Sequence, residues 1–229
     1  MEKLVVAHQA EFLPYIGFFQ RLLKANLLII ADSVQYEKQN FQNRNRIKTV
    51  RGAKWMTASI IKHPVETSIN QIFLSNTIDW RTEHLCLIRE NYKDAPFYNQ
   101  IYPIIVELYD YKCEKLVDFN INSIRKLCEL LEINIDIILS SSLDVHGKKD
   151  DLIIDMLQKV GATAYISGDG AKKYSNPKSF EAAGINVIWQ NFKHPVYPQV
   201  NGDFLPYMSS IDLLFNCGIQ ESQKIIRDI

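Results

Sequence analysis

The first 32 residues contain the pattern that most constrains the fold. Residues 3–7, "KLVVA", form a short apolar run, and residues 27–32, "LLIIAD", form a second. Between them, residues 15–25, "YIGFFQRLLKA", carry apolar side chains at helical spacing and follow a proline suited to a first helical turn. A strand, a helix and a strand within about thirty residues predict a βαβ unit whose two strands are parallel.

The middle of the chain departs from this alternation. "NRNRIKT" and "KWMTASII", on either side of Gly52, predict a β-hairpin, and residues 69–75, "INQIFLS", predict a further strand. Residues 80–132 then turn helical, and Pro96 separates the first two helices because proline lacks the donor that a helix interior needs. We interpret residues 80–132 as a helical insert.

The last third returns to strands and helices. Residues 135–140 and 185–190 predict strands, residues 163–170 predict a strand that runs into a glycine-rich turn, and residues 149–162 predict an amphipathic helix that Gly161 ends. "SSIDLLFNCG" predicts a short closing helix with Ser209 or Ser210 as its N-cap. We therefore expect one α/β domain over residues 1–229, with a mostly parallel sheet, flanking helices, a β-hairpin excursion and the helical insert.

Composition excludes several classes of protein. Apolar residues make up 47% of the 229, which is enough for a sizeable core. Because 26 lysines and arginines balance 26 aspartates and glutamates, bulk charge does not steer the chain toward a nucleic-acid template or an anionic membrane. No apolar run approaches the ~20 residues of a membrane span. The apolar segment before His8 is shorter than the hydrophobic region that a signal peptide needs.

The cysteines point to a reducing compartment. Cys86, Cys113, Cys128 and Cys217 are far apart, without a CxxC pair or a histidine at metal-ligand spacing. We interpret them as free, mostly buried thiols and expect a cytoplasmic protein without a metal site.

Candidate site residues follow the first two strands. Ligands of parallel α/β sheets bind beyond the carboxyl ends of the strands, where His8 and Asp32 lie. His8 is either a structural histidine or an acid, base or anion ligand, and Asp32 is either a turn residue or a carboxylate that holds a substrate hydroxyl or amine. Gln9 and Gln35 lie beside them as substrate-binding candidates, and Glu11 in the first turn is a further polar group.

A glycine-rich turn follows a later strand. In "SGDGAKKY", residues 167–174, Gly168 and Gly170 let backbone amides approach a ligand, and a helix that begins near Ala171 would add its positive end. A plain tight turn explains the same spacing. The substrate-binding candidates here are Ser167, Gly168, Gly170, Lys172 and Tyr174.

A second histidine lies in a stiff loop. "FKHPVYPQ", residues 192–199, places His194 and Tyr197 between prolines, where a loop can form the wall of a site. His194 is an alternative to His8 as a base near neutral pH.

The basic stretch "FQNRNRIK", residues 41–48, allows three interpretations. If it is a strand, its period of two puts Arg44, Arg46 and Lys48 on one face and Asn43 and Asn45 on the other. The zero net charge argues against nucleic acid. A solvated hairpin face and an anion site, in which the planar arginine fork binds a diphosphate or carboxylate, remain open.

Taken together and in order, these segments resemble the WbqC-like proteins of bacterial polysaccharide gene clusters. The resemblance rests on segments spread over nearly the whole chain: "HQAEFLPYIGFFQRLLKA", "ADSVQYEKQNFQNRNRIKT", "WRTEHLCLIRENYKDAPFY", "YISGDGAKKY", "FKHPVYPQ" and "FLPYMSSIDLLFNCG". It implies a place in O-antigen or related sugar-nucleotide metabolism, and transfer of glycine or another aminoacyl or acyl group to an amino sugar.

The leading hypothesis is therefore an amide-forming transferase that acts on an amino sugar, as a nucleotide-linked sugar. Arg44, Arg46 and the turn at 168–172 would bind phosphates, His8 or His194 would act as base, and Asn43 or Asn45 would donate to an oxyanion. The acyl donor would be a CoA thioester, a carrier protein, an aminoacyl-tRNA, or glycine activated with ATP.

Two alternatives remain. "HQAE" between a strand and a helix weakly resembles the opening of HxGH nucleotidyltransferases and pantothenate-synthetase-like ligases, which use ATP. Glu11 stands where that motif has its second histidine. A non-catalytic sugar-nucleotide-binding protein fits the neutral charge and the 11% aromatic content equally well.

Overall fold

The computed structural model describes residues 2–228 and contains two sheets. Its strands, in chain order, are β1 (Leu4–His8), β2 (Leu27–Ile30), β3 (Arg44–Thr49), β4 (Gly52–Thr57), β5 (Asp136–Leu139), β6 (Ala164–Ser167) and β7 (Asn186–Trp189). Five of them form one sheet in the order β5-β2-β1-β6-β7, and every pair in it is parallel. The N-terminal βαβ unit is confirmed, because β1 pairs with β2 in parallel register.

Helices account for most of the remaining regular structure. In chain order they are α1 (Ile16–Leu22), α2 (Trp80–Tyr92), α3 (Tyr98–Asp110), α4 (Leu116–Leu130), α5 (Asp150–Lys159), α6 (Pro177–Ala182) and α7 (Ser210–Arg227). Three of them, α2 to α4, fill the stretch that the sequence marks as helical, so the α/β class with flanking helices is confirmed. None of the helices within residues 2–228 has the length and apolarity to cross a bilayer.

Apolar side chains cover both faces of the parallel sheet, as expected for strands that read as continuous apolar runs. On one face Val6 packs in a large cluster with side chains of α1, α4 and α7. On the other, Val5 and Ala7 pack with side chains of α5 and α6. The strands are therefore fixed from both sides, and polar chemistry is left to the loops at their carboxyl ends.

The β-hairpin is also confirmed. β3 and β4 pair antiparallel, and Gly52 opens β4 with a φ of 98°, a conformation that favours glycine. Arg44 and Arg46 are half-exposed on one face, but Lys48 on the same face is 1% exposed. Its ammonium donates to the backbone carbonyls of Gly202 and Asp203 at 2.6 and 2.5 Å, so the loop before α7 covers this end of the hairpin.

The expected strand at 69–75 is wrong. Residues Ile69–Gln71 form a 3₁₀ turn, and Phe73 and Leu74 make only isolated bridges, to Lys115 and Ile60. Ile69 and Ile72, three residues apart, are both fully buried, which is the spacing of a 3₁₀ turn rather than of a strand.

Two helix expectations are also corrected. The glycine-rich turn leads into a 3₁₀ turn at Asp169–Lys173, and the α-helix after it begins only at Pro177. The closing helix is not short, because it resumes after Gly218, whose φ is 73°, and ends at Arg227. Ser209 does occupy the N-cap position, but its hydroxyl donates to the Leu13 carbonyl instead of accepting from the helix.

The four cysteines are free, and two of them, Cys128 and Cys217, are buried. Burial raises the pKa of the Cys128 thiol to about 12. This agrees with the expectation of thiols that do not form disulfides.

Candidate functional site

The strand order places a topological switch point between β1 and β6. From β1 the chain adds β2 and β5 on one side, and then returns to add β6 and β7 on the other. In open parallel sheets ligands bind in the crevice outside the carboxyl ends of the strands at such a point. Here His8 is the last residue of β1, and Gly168 follows the last residue of β6.

His8 and Glu11 form a pair in this crevice. The imidazole Nε2 lies 3.7 Å from a Glu11 carboxylate oxygen, and the Nδ1–H donates to the Gln9 carbonyl at 3.0 Å, which leaves Nε2 as the acceptor. Burial, aided by the positive charge of Arg21, lowers the pKa of His8 to about 3. The imidazole is therefore neutral at physiological pH, and the contact with Glu11 is not an ion pair.

Glu11 is a carboxylate without a hydrogen bond in the described part of the chain, although only 14% of its side chain is exposed. Burial raises its pKa to about 7, and Arg21 opposes that rise. A carboxyl that titrates near neutral pH in a strand-end crevice is suited to general acid–base work.

Side chains of α4 and β3 hold the backbone of the loop that carries Glu11. Ala10 and Phe12, on either side of Glu11, are fully buried. The side-chain amide of Asn120 donates to the Ala10 carbonyl at 2.9 Å, and that of Asn45 donates to the Phe12 and Leu13 carbonyls at 3.2 and 2.8 Å. These bonds satisfy the buried backbone of the loop, so Glu11 is presented by a preorganised segment.

Arg21 reaches the same crevice from α1. It is 5% exposed, and its guanidinium makes neither a hydrogen bond nor an ion pair with any described residue. Its Nη1 would lie 3.1 Å from a side-chain carbon added at Gly168, which places the guanidinium against the end of β6. The Phe18 ring, 5.8 Å from the guanidinium carbon, flanks it.

Aromatic side chains form the outer wall of the crevice. Tyr15 packs edge-on against Phe192, with centroids 5.7 Å apart, and lies 6.1 Å from the ring of Tyr207. Burial raises the pKa of Tyr15, so its hydroxyl stays protonated. Its ring rests on Gly17, where an added side-chain carbon would be 2.4 Å from a ring atom.

We expect Gly17→Ala to destabilise the protein by about 1–3 kcal/mol, because the methyl group overpacks against the Tyr15 ring. Helix propensity alone predicts the opposite sign, a gain of about 0.5–1 kcal/mol for alanine inside α1. Urea denaturation decides between them. A stabilised variant would show that the Tyr15 ring moves freely and does not form a fixed wall.

Asp32 and Gln35 follow β2, on the side of the sheet order where β5 lies. The Asp32 carboxylate accepts hydrogen bonds from both Ser140 and Ser141, at 2.6–3.0 Å, and so links the end of β2 to the turn after β5. Gln35 donates to the Val65 carbonyl at 3.0 Å. The geometry gives both residues structural contacts and does not bring them to the His8–Glu11 pair.

The two asparagines of the opening basic stretch also have structural partners. Asn45 holds the Glu11 loop, and Asn43 donates to the Ala58 carbonyl at 3.0 Å. Both N–H groups of the Asn45 amide therefore have acceptors, and one N–H of the Asn43 amide does. Gln9 keeps its place in the crevice loop, where its side-chain oxygen accepts a hydrogen bond from Gln42 at 2.7 Å.

Arg44 and Arg46 stack on Trp55. Their guanidinium carbons lie 4.2 and 5.5 Å from the centre of its ring. Arg44 also donates to the Gln39 carbonyl, and Arg46 to the Tyr207 carbonyl at 3.2 Å. Cation–π contacts and backbone acceptors engage both arginines on a half-exposed hairpin face, whereas the guanidinium of Arg21 has no acceptor.

The first residues of the glycine-rich turn lie beside Arg21 at the end of β6. Gly168 lies against Arg21, and the buried Ser167 accepts a backbone hydrogen bond from Gln190. Lys172 forms an ion pair with Asp169 at 2.6 Å and bonds Asn191 at 2.7 Å, so it ties the turn to the next loop. The remaining candidates, Gly170 and Tyr174, face open space, Tyr174 being 78% exposed.

Both nitrogens of His194 are engaged. Nδ1 donates to the Pro195 carbonyl at 2.8 Å, and Nε2 accepts the Tyr207 amide at 3.0 Å. Burial lowers its pKa. Tyr197 is 4% exposed and donates to Asp212 at 2.9 Å, away from any opening. Both residues stabilise the loop before α7.

Sequence reasoning missed Arg21 and undervalued Glu11. The sequence did contain a signal for Arg21. The helix α1 is apolar on nearly every side, and a helix of that kind is buried all round. Its arginine is therefore expected to be buried as well. The lack of a hydrogen-bond partner for either side chain depends on tertiary packing. No cluster of three metal-binding side chains occurs among residues 2–228.

Comparison with known proteins agrees with the resemblance noted from the sequence. A family model described as the WbqC-like protein family matches residues 9–224. The uncharacterized protein Rv1507c of Mycobacterium tuberculosis is 29% identical over 223 residues, which cover 96% of each chain. No solved structure matches the chain significantly.

Proposed function

The chain belongs to the WbqC-like protein family, and from this membership together with the switch-point crevice we propose that it is an amide-forming aminoacyl or acyl transferase. Its acceptor would be an amino sugar, supplied as a nucleotide-linked sugar, in the cytoplasmic synthesis of a surface polysaccharide such as O-antigen. The observation that carries the proposal is the pair of His8 and Glu11, a neutral imidazole beside a carboxyl whose pKa is about 7.

The chemistry requires a proton acceptor. The sugar amine attacks the carbonyl carbon of the donor, a C–N bond forms, the bond to the leaving group breaks, and the amine loses a proton. Glu11 in its ionised form takes that proton, since a base with a pKa near the working pH is effective. His8, neutral and with Nε2 as acceptor, orients the amine by accepting one of its hydrogens.

The contacts in the crevice favour Glu11 as the base over the His8 or His194 expected from the sequence. His194 has no free nitrogen, and Asp32 accepts hydrogen bonds from two serines. Glu11 has no such partner, and Asn45 and Asn120 fix its loop. Tyr15 and Tyr207 provide apolar faces that suit a sugar ring beside the base.

An ATP-dependent ligase is a second candidate, and the strand order favours it. The order β5-β2-β1-β6-β7 is that of the doubly wound nucleotide-binding sheets, with His8 at the end of its central strand. In that case the same site would first activate glycine as an adenylate. Pyrophosphate exchange that depends on ATP and glycine would identify it.

The direct test is an activity assay with purified protein. Amino-sugar nucleotides are incubated with glycyl- or acyl-CoA, an acyl carrier protein, aminoacyl-tRNA, or ATP plus glycine, and products are identified by mass spectrometry. We expect one combination to add a single acyl mass to the sugar. Binding of a sugar nucleotide without product from any donor would contradict the transferase and support a non-catalytic binding protein.

A further inference from the structure

We propose that Arg21 is the phosphate-binding residue of the crevice and that its guanidinium takes a phosphate group of the substrate at the switch point between β1 and β6. The identity of the molecule that carries this phosphate rests on the proposed function. The anion site itself rests only on the surroundings of Arg21.

The first observation is the missing acceptor. The Nε of Arg21 is inaccessible to water and has no hydrogen-bond partner, and the whole residue is 5% exposed. Burying a guanidinium without an acceptor is costly, and buried polar groups in native proteins are nearly always paired. A ligand that brings oxygen atoms to the guanidinium removes this penalty.

The second observation is the close packing of Arg21 on Gly168. The backbone of Gly168 has a φ of −71°, which any residue adopts, so glycine is not needed there for conformation. A side-chain carbon at this position would lie 3.1 Å from Nη1 and 3.6 Å from Cζ of Arg21. Glycine therefore lets the guanidinium approach the backbone at the end of β6 closely, at the strand ends where phosphates bind in sheets of this order.

The third observation is the local charge. The charged and titratable groups that influence Arg21 or share its crevice are His8, Glu11, Tyr15, Tyr165, Asp169 and Tyr207. His8, Tyr15 and Tyr165 are neutral, and Asp169 is already paired with Lys172 at 2.6 Å and with the amides of Asn191 and Phe192. Among residues 2–228, Glu11 is the acidic group that can offset the charge of Arg21, and it does so incompletely because its pKa is about 7.

A phosphate fits better than a single carboxylate. The arginine fork can donate from its two Nη groups to two oxygens of the same group, and a phosphate has a third oxygen for other donors and a second negative charge. Arg44 and Arg46 also have a buried Nε without a partner, but each stacks on Trp55 and donates from an Nη to a backbone carbonyl.

The test uses sulfate, a tetrahedral dianion that does not titrate between pH 6 and 9, in the full-length protein. The melting temperature is measured against sulfate concentration, with chloride at matched ionic strength. Sulfate also stabilises proteins by exclusion from their surface, and that effect grows without saturation. We expect the wild type to show an additional, saturable rise, because a ligand that binds only the native state stabilises it by mass action.

Variants locate the site. Arg21→Met should lose the saturable rise, while its melting temperature without sulfate increases by about 2 °C or more, because an unpaired buried charge has been replaced by an apolar group. Arg21→Lys keeps the charge without the fork and should bind sulfate about tenfold more weakly. Arg44→Met should keep the saturable rise.

The glycine pair supplies a matched control. Gly168→Ala presses on Arg21 and should weaken the apparent sulfate affinity several-fold, whereas a side-chain carbon at Gly170 meets nothing within 4 Å and Gly170→Ala should leave it unchanged. Equal affinities in the two glycine variants would overturn the proposal. So would a saturable rise that survives in Arg21→Met or Arg21→Lys at full affinity, or one that acetate reproduces.

The two proposals fail separately. Sulfate binding that depends on Arg21, without acyl transfer from any donor, would leave the phosphate site in place and contradict the transferase. Acyl transfer that is unchanged in Arg21→Met, together with unchanged sulfate binding, would contradict the phosphate site and leave the transferase in place.

Discussion

Glu11→Gln is expected to lower the rate of acyl transfer at pH 8 by about 10²- to 10⁴-fold, the usual contribution of a positioned general base. Glutamine has the same shape but cannot accept the proton that the sugar amine releases. The Glu11 carboxyl makes no hydrogen bond with a described residue, so the substitution leaves no donor unpaired and the fold should persist. The measurement is kcat for the donor and acceptor pair identified by mass spectrometry.

The pH profile separates a base from a structural residue. Burial raises the pKa of Glu11 to about 7, and the base acts only when ionised, so kcat/KM should rise with pH up to about 7 and then level off. His8, with a pKa of about 3, stays neutral over this range and adds no inflection. Glu11→Gln should lack the inflection near pH 7, whereas ionisation of the substrate amine affects every variant equally.

A glutamate far from the crevice serves as the control. Glu181 is exposed on α6, and Glu181→Gln should leave both the rate and the pH profile unchanged. If Glu11→Gln keeps at least a tenth of the wild-type rate and also keeps the inflection near pH 7, Glu11 is not the base.

The sequence predicts the parallel sheet well, because its strands can be recognised from short segments of the sequence alone. Buried parallel strands are continuous apolar runs, and those around Val6 and Ile29 are long enough to be recognised without knowledge of their neighbours. The segment at 69–75 is apolar for a different reason, the burial of a 3₁₀ turn, and its composition does not distinguish the two.

The candidate site also contains some residues that the sequence predicts and others whose role depends on tertiary packing. His8 and Gly168 are found from the sequence because the ends of parallel strands meet at one edge of the sheet. The anion site at Arg44 and Arg46 stays a prediction, and the sequence does not reveal that both guanidinium groups also stack on Trp55 of the opposite strand. The availability of Arg21 is a property of what surrounds it, which no local pattern encodes.

The single-domain interpretation stays a prediction, but contacts cross between the hairpin, the helices and the C-terminal segment. Asn45 of β3 holds the loop after β1, and Asn120 of α4 holds the same loop. Lys48 of β3 binds the carbonyls before α7. Segments far apart in the chain therefore shape the crevice together.

A second network, centred on Asp212, fixes the loop before α7. Its carboxylate is fully buried and accepts hydrogen bonds from Tyr92 at 2.6 Å, Tyr197 at 2.9 Å and Gln199 at 2.7 Å. The Tyr92 hydroxyl in turn accepts the backbone amide of Lys48 at 3.1 Å. Burial raises the pKa of Asp212, and these hydrogen bonds oppose that rise.

We expect Asp212→Ala to lower the free energy of unfolding by about 3–5 kcal/mol, because it leaves several buried donors without an acceptor and removes a negative charge that opposes the lowering of the Lys48 pKa by burial. Guanidinium denaturation measures the loss. Asp110→Ala, at the exposed end of α3, is the matched control and should change stability by less than about 0.5 kcal/mol.

Asp212→Asn sharpens the interpretation. The amide keeps one acceptor oxygen and the volume of the side chain, but it turns a donor toward Tyr92, Tyr197 or Gln199, so its cost should fall between those of the alanine variant and the control. The same loop carries Tyr207, whose ring lies 6.1 Å from Tyr15 in the crevice. If Asp212→Ala costs less than about 1 kcal/mol, the Asp212 network does not hold this loop, and the loop must be fixed by its other contacts, such as those of Lys48 with the Gly202 and Asp203 carbonyls and of His194 with the Tyr207 amide.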